Sequence, residues 1–386
     1  MPSCRSAFGR VLAARPSLPS GLGAFLLAAL VACCGVEPSS GPGSPGQPRP
    51  SSAADTESGH RAAPAATGGY FETLGRFGEL SHRRLTFAAM GTDVTIEALG
   101  PTAAGLDVLD AALSAAEAEL RRVEDLCTSW RDSPLTRLNA RAGQGPGPID
   151  PELAELIGRG LAVGELSGGA FDVTFAGVGR LWDFQADPPV LPSEDEVTSA
   201  LAVVDFRRVE LDLDAGTLAL PRDAALGLGG IAKGYGVDRA MAVLLEHGIE
   251  HGLVNAGGDL KVLGTKNGEP WRVAVRHPRD RESVLAVVPL SNTCIVTSGD
   301  YERFFEHDGR RYHHILDPRT GYPSTGAMSA TVVAPDAAFA DALATALSVL
   351  GPEEGLAIAE GLERVEALIV DLDGAVHRTS GLEAHR

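Results

Sequence analysis

Residues 35 to 69 set the first limit on what this chain can fold into. The run is dominated by Pro, Ser, Gly and Ala. Such residues bury too little apolar surface to offset the entropy of ordering them, so the run reads as a disordered tether. A folded body then begins near Tyr70, and whatever precedes the tether needs its own explanation.

That explanation is a targeting leader. Arg5, Arg10 and Arg15 make a basic start, Gly21 to Ala32 is a short apolar stretch, and Leu30-Val-Ala-Cys33 puts small residues ahead of a cysteine. The apolar stretch is too short to span a bilayer as a mature helix, which takes about 20 residues. The pattern resembles a bacterial lipobox, in which Cys33 becomes the lipidated first residue; plain cleavage and an uncleaved anchor are the alternatives, with Cys34 an adjacent competitor. The expected organisation is therefore a signal peptide over 1–32, a lipidated cysteine and linker over 33–69, and a catalytic body over 70–386. The expected location is extracytoplasmic, on a membrane.

The formal net charge is -18, and removing the leader, with three arginines and no acid, makes it more negative. Such a surface repels nucleic acid, and it also repels a free dinucleotide. A phosphate site would have to be built locally, from backbone N–H groups, a Lys or Arg, or a metal ion. With Cys33 acylated, Cys34, Cys127 and Cys294 remain, and they match no metal spacing and no disulfide framework.

Along the body, strand and helix patterns alternate. Arg84 to Leu99 reads as a strand pair hinged at Met90-Gly-Thr92, and Leu106 to Cys127 as an amphipathic helix. Trp130 and Arg131 close that helix and Ser133 to Asn139 reads as a turn. A second helix starts at Asp150 as N-cap with Pro151 behind it and runs to about Leu166. Trp271 to His277 alternates apolar and polar residues as a half-buried strand does, and Val284 to Leu290 is another strand.

Three segments carry polar groups suited to chemistry. Gly227-Leu-Gly-Gly-Ile-Ala-Lys-Gly234 precedes a helix expected from about Tyr235 to His247, so a glycine loop and Lys233 would present positive charge at a helix N-terminus. An ordinary close-packed turn is the alternative. A helix expected from about Pro335 to Leu350 places Asp341 and Thr345 four apart on one face, where oxygens could bind a hard cation. Its bland alternative is an exposed Asp beside a Thr bonded back to its own helix. Thr297-Ser-Gly-Asp-Tyr-Glu-Arg303 and Tyr312 to Ser324 gather hydroxyls, a carboxylate, guanidinium groups and two imidazoles between turn formers. Alternation over Arg311 to Leu316 puts Tyr312, His314 and Leu316 on one face and His313 on the other, so only one histidine can face a site. His313 is then a surface or packing residue, and Asp300 fixes its loop.

Seven motifs in order resemble those of the ApbE family: Met90-Gly-Thr92; Phe171-Asp-Val-Thr174 with Leu181-Trp182; Gly229 to Tyr235; Val254 to Asp259; Thr297 to Tyr301; His314 to Gly321; and Ala340 to Thr345. The resemblance implies an α+β (mixed α/β) body forming one catalytic domain. It implies an FAD:protein FMN transferase that splits FAD, releases AMP and leaves FMN on a threonine of an acceptor protein, in all expectation a membrane redox subunit. Residue by residue, it implies a flavin site of Met90, Trp130, Ala170, Phe171, Asp172, Lys233 and Leu316. It further implies a Mg2+ site of the Gly230 carbonyl, Asp341 and Thr345, with His314 as the catalytic base. An FAD pyrophosphatase and a non-catalytic flavin-binding lipoprotein remain as alternatives. The sequence departs from the pattern at Gly227, often Asp in the family, at Ala176-Gly177, often Gly-Pro, and at Asp183, often Gly.

The lipobox yields a first test. Cys33→Ser is expected to leave the protein unprocessed or to release it from membranes on fractionation; unchanged processing and membrane association would exclude a lipid at that cysteine.

Overall fold

The computed structural model describes residues 69–382; the leader, Cys33 and nearly all of the tether lie outside the described residues. The first strand begins at Tyr70, where the apolar pattern starts. In chain order the strands are β1 (Tyr70–Phe77), β2 (Leu80–Ala89), β3 (Thr92–Pro101), β4 (Gly147–Pro148), β5 (Glu210–Asp212), β6 (Thr217–Ala219), β7 (His251–Ala256) and β8 (Asp259–Leu263). They continue with β9 (Trp271–His277), β10 (Asp280–Leu290), β11 (Thr293–Gly299), β12 (Phe304–His307), β13 (Arg310–His313), β14 (Ser329–Ala334), β15 (Glu366–Val370) and β16 (Val376–Arg378). The main helices are α1 (Leu106–Cys127), α2 (Pro134–Asn139), α3 (Pro151–Leu166), α4 (Glu194–Leu201), α5 (Ala232–Glu246) and α6 (Ala337–Glu360).

Nine strands form one sheet in the order β1-β2-β3-β7-β8-β11-β14-β15-β16. Every pairing in it is antiparallel, which makes the body α+β. Strand periodicity then explains the two cores. Val94, Ile96 and Ala98 of β3, Cys294 and Val296 of β11, and Ala330, Val332 and Ala334 of β14 point into the larger core. α1, α5 and α6 pack on that face of the sheet. The intervening Leu99, Ile295 and Val333 point the other way and meet Trp271, Val275, Ala286 and Val288 of the β9–β10 hairpin. A sheet covered on both faces needs near-continuous apolar strands, which is how β11, β14 and β15 read.

Helix boundaries follow local chemistry. α1 and α3 have the expected limits, and Asp150 caps α3 by accepting from the N–H groups of Glu152 and Leu153. Ser133 to Asn139 is a short helix instead of a turn. Ser133 accepts from the Thr136 N–H while Thr136 returns a bond to the Ser133 N–H, so the reciprocal capping box outweighs the turn signal of Ser-Pro. α6 starts two residues after Pro335, with Asp336 as N-cap, and its helical geometry breaks at Gly351 (φ 78°), one residue beyond the expected end. A helical segment resumes at Pro352.

α5 begins at Ala232, three residues before the expected start, which moves Lys233 into its first turn. Ile231 provides no side-chain cap. The missing acceptor comes from α6: the Gly234 N–H donates to Asp341 Oδ2 at 3.1 Å. Reciprocally, Asp238 of α5 accepts from the N–H groups of Ala337 and Ala338, at 2.8 and 3.0 Å. Each helix therefore caps the other.

This contact leaves no room at Gly234, where an added Cβ would lie 2.1 Å from the Ala337 carbonyl oxygen. Gly234→Ala is expected to lower the unfolding free energy by about 1–3 kcal/mol, read as a reduced urea midpoint. A variant with an unchanged midpoint would show that the two helix starts do not constrain each other.

Candidate active site

The α5–α6 contact gathers most of the residues singled out above. Lys233 Nζ lies 2.7 Å from Asp259 Oδ2 and 3.6 Å from Asp341 Oδ1. Burial works against the ammonium, but the two carboxylates outweigh it and hold Lys233 charged, above the usual lysine range. Asp259 is fully buried, and burial, followed by the neighbouring Asp341 charge, pushes its carboxyl well above the usual range despite Lys233. Its Oδ1 has no hydrogen-bond partner.

Asp341 is 2% exposed, so the alternative of a solvated carboxylate fails: its helix face is turned into the protein. Thr345 does not bond back to its own helix either. Its hydroxyl lies 3.3 Å from that of Ser298 on β11. Gly230 closes the group, since a Cβ there would come within 3.1 Å of the Phe171 ring and 3.3 Å of the Thr345 hydroxyl. Gly230, Asp341, Thr345, Lys233 and Phe171 thus form one neighbourhood.

Met90 enters from the β2–β3 turn. Its sulfur would lie 2.9 Å from a Cβ at Gly236, one turn along α5 from Lys233. Ala170 packs with Ile315 and Val349, while Leu316 joins Trp182 and Phe305 in a separate apolar cluster. Asp172 is occupied within the protein: Oδ1 accepts from the Thr174 N–H and hydroxyl and Oδ2 from the Phe206 N–H. It shapes the loop behind Phe171, and burial raises its pKa against those bonds. Trp130 stands apart, 65% exposed after α1 and in none of the buried clusters. A hollow of about 340 Å3 lined by Pro134, Arg141, Ile149 and Leu153, among others, contains none of these residues.

The two histidines differ in setting. Tyr312 and Leu316 share one apolar cluster and Ile315 lies in another. His313 is a buried packing residue whose Nε2 donates to the Ser324 carbonyl at 3.0 Å, and burial depresses its pKa. β13 ends there. His314 continues beyond it, its N–H donating to the Arg303 carbonyl at 3.0 Å. Its Nδ1 is shut from solvent without a partner. Burial, then the Arg303 guanidinium, His313 and Lys233, push its pKa down to about 4.

Four residues left unassigned by the sequence reading belong here. Ser298 and Arg303 lie inside the polar stretch that ends at Arg303, and Asp259 directly follows a Gly-Gly turn, so each carried a local signal. Asp238 carried none, because the helix start it caps lies 99 residues away at Ala337 and its ion-pair partner Lys261 is on β8. Gly227 has its own explanation. A Cβ there would meet the Phe175 ring at 2.7 Å and the Ala176 Cβ at 3.0 Å, so two of the departures from the family pattern touch each other.

The sequence model of the ApbE family matches residues 90–369. The chain belongs to the ApbE family. Among ApbE relatives, the FAD:protein FMN transferase of Treponema pallidum (strain Nichols) is 38% identical over 268 residues, covering 65% of this chain and 74% of that protein. The crystal structure of the ApbE protein from Thermotoga maritima matches with a TM-score of 0.71 at 33% identity, covering 78% of this chain and 97% of that one. Flavin transferase ApbE from Vibrio cholerae gives 0.70 at 30% identity, with 78% and 98% covered.

Asp300 fixes the frame around the histidines. Arg279, from the turn between β9 and β10, grips both its oxygens at 2.6 Å, and the Asp300 N–H donates to Met328. Asp300→Ala leaves Arg279 without that partner and is expected to cost about 2 kcal/mol of stability, toward the low end because Arg279 keeps some exposure. Chemical denaturation of the single and Arg279→Met double variants checks it, and fully additive losses would deny the coupling.

Proposed function

We propose that this chain transfers FMN from FAD to a threonine hydroxyl of an acceptor protein and releases AMP, with Mg2+ bound between the glycine loop and α6. The observation that carries this reading is the meeting of Lys233, the Asp341–Thr345 face, Gly230 and Phe171 at one helix N-terminus, in a chain whose relatives are named FAD:protein FMN transferases. A lipid on Cys33 would keep the enzyme beside a membrane redox subunit as acceptor.

The donor set fits a hard cation. Among the described residues Asp259 and Asp341 share the one ammonium of Lys233 while Asp238 pairs with Lys261, and Asp259 keeps an unpartnered buried oxygen. A positive charge would offset the surplus carboxylate. Among the described residues no cluster of three His, Cys, Asp or Glu offers a metal site, so the ligands would be Asp341, the Thr345 hydroxyl and the Gly230 carbonyl, an all-oxygen set of the kind Mg2+ takes. When bound, the cation supplies Lewis-acid neutralisation of the pyrophosphate.

The protein's own groups do the rest. Lys233 at the start of α5 adds fixed positive charge for the phosphates. Met90 and Phe171 offer apolar surface to the isoalloxazine, and Trp130 an exposed aromatic face. The acceptor hydroxyl attacks the phosphorus next to riboflavin, the bond to the bridging oxygen breaks, and AMP leaves with that oxygen. His314, neutral at pH 7, accepts the hydroxyl proton.

Incubation with FAD and Mg2+, with and without an acceptor polypeptide, tests the reading. AMP release tied to covalent flavin on the acceptor is the expected outcome; AMP without protein-bound flavin would make the protein a pyrophosphatase, and neither product would make it a binding protein. Asp341→Asn keeps an acceptor for the Gly234 N–H but removes the charge, and should abolish most Mg2+-dependent turnover without unfolding the chain. Full activity of that variant at low Mg2+ would remove Asp341 from the ligand set.

His314→Ala is expected to lower turnover about 10^2- to 10^4-fold with little change in FAD binding. Because the imidazole is depressed to about 4, kcat/KM should stay level near neutrality and fall as pH drops through about 4. An acid limb at about 6.5, the ordinary imidazole value, would contradict the buried, cation-flanked setting. His313→Ala is not a neutral control for this variant, since it removes a buried hydrogen bond.

A further inference from the structure

We propose that Arg303 is a catalytic residue of this site, binding the pyrophosphate of FAD with its guanidinium while its own carbonyl holds the backbone of His314. The proposal rests on the transferase reading and adds to it a substrate contact.

The geometry is that of a bridge. Arg303 sits just ahead of β12, at the open end of the β12–β13 hairpin, where its carbonyl accepts from the His314 N–H at 3.0 Å. Its side chain crosses to the β2–β3 turn, where Nη2 lies 3.3 Å from the Gly91 carbonyl oxygen. That turn carries Met90 at φ 54° and Gly91 at φ 72°. A Cβ at Gly91 would come within 3.1 Å of the same Nη2. One residue therefore spans the flavin-facing turn and the proposed base.

Its electrostatics are unlike those of its neighbours. Arg279 is neutralised by Asp300, and Arg311 by Glu306 with Asp300 nearby. Among the described residues Arg303 has no carboxylate within ion-pair distance, and it is exposed, in a chain of net charge -18. One weak bond to Gly91 leaves most of its five N–H donors free. A planar fork with free donors and no counter-ion is suited to phosphate oxygens. The titratable groups that act on His314 are Arg303, His313 at the end of β13 and Lys233 from α5, so Arg303 and Lys233 bring positive charge to the imidazole from two different elements. An anion drawn to both cations would lie against the base, as phosphoryl transfer requires.

The test uses Arg303→Met and Arg303→Lys in the full chain, with two probes: FAD, and riboflavin, which has the ring system but no phosphate. Arg303→Met should weaken FAD binding about tenfold or more and leave riboflavin binding as in the wild type. It should also lower kcat and move the acid limb of kcat/KM upward from about 4, because a positive charge facing His314 is gone. Arg303→Lys should restore the limb and part of the FAD affinity, since it returns a charge without the fork. Unchanged FAD affinity in Arg303→Met would overturn the proposal, as would equal losses of FAD and riboflavin, which would mark a structural role. Absence of flavin transfer by the wild type would count against the transferase reading alone, because the FAD-to-riboflavin comparison needs no turnover.

Discussion

Two helix N-termini meet in this protein, and the rest of the site depends on how they are neutralised. A helix start leaves backbone N–H groups unpaired and carries partial positive charge. Bringing two together would be unfavourable without acceptors. Asp238 of α5 serves the start of α6, and Asp341 of α6 serves the start of α5. The exchange permits an approach so close that Gly234 cannot carry a side chain. It also brings buried carboxylates together, and these in turn recruit Lys233 and Lys261. Burial of the ion cluster is costly by itself. Its retention makes sense where the cluster does something, and the orphaned oxygen of Asp259 shows where it is incomplete.

That origin explains what could be read from sequence. α1 and α3 were legible to the residue because their limits are set locally, by apolar spacing and by the Asp150-Pro151 start. The β2–β3 hairpin was legible for the same reason. The start of α5 was not, since Ile231 gives no capping signal and the acceptor lies 107 residues away on Asp341. The same distance hid the burial of Asp341: a carboxylate four residues before a threonine has no property of its own that separates solvated from capped. α2 was missed because Ser-Pro reads as a turn until the return bond from Thr136 is counted.

At the site, residue identity was more legible than residue duty. Gly230, Asp341, Thr345, Lys233 and Phe171 do come together, although nothing in the composition of each segment places them within reach of one another. Asp172 lies in the expected loop, yet its bonds to Thr174 and Phe206 make it a support for Phe171. The pairing of Phe175 and Ala176 with Gly227 shows the converse. A departure that in one dimension reads only as a missing carboxylate is in three dimensions a packed position: a side chain at Gly227 would meet the Phe175 ring.

His314, the proposed base, sits on irregular backbone. β13 pairs with β12 alone, and its last residue is His313. Just past His313 the chain keeps one bond, to the Arg303 carbonyl, which orients the peptide and frees the ring. Burial and nearby cations keep that ring neutral, so every molecule at neutral pH is in the proton-accepting form. The cost is weak basicity, because a low pKa reduces the driving force for taking a proton. A pyrophosphate bound as proposed would act in the opposite direction, placing negative charge among the same cations and strengthening the proposed base. The imidazole by itself is thus unprotonated and of modest strength, and an anion placed among its neighbouring cations would make it stronger.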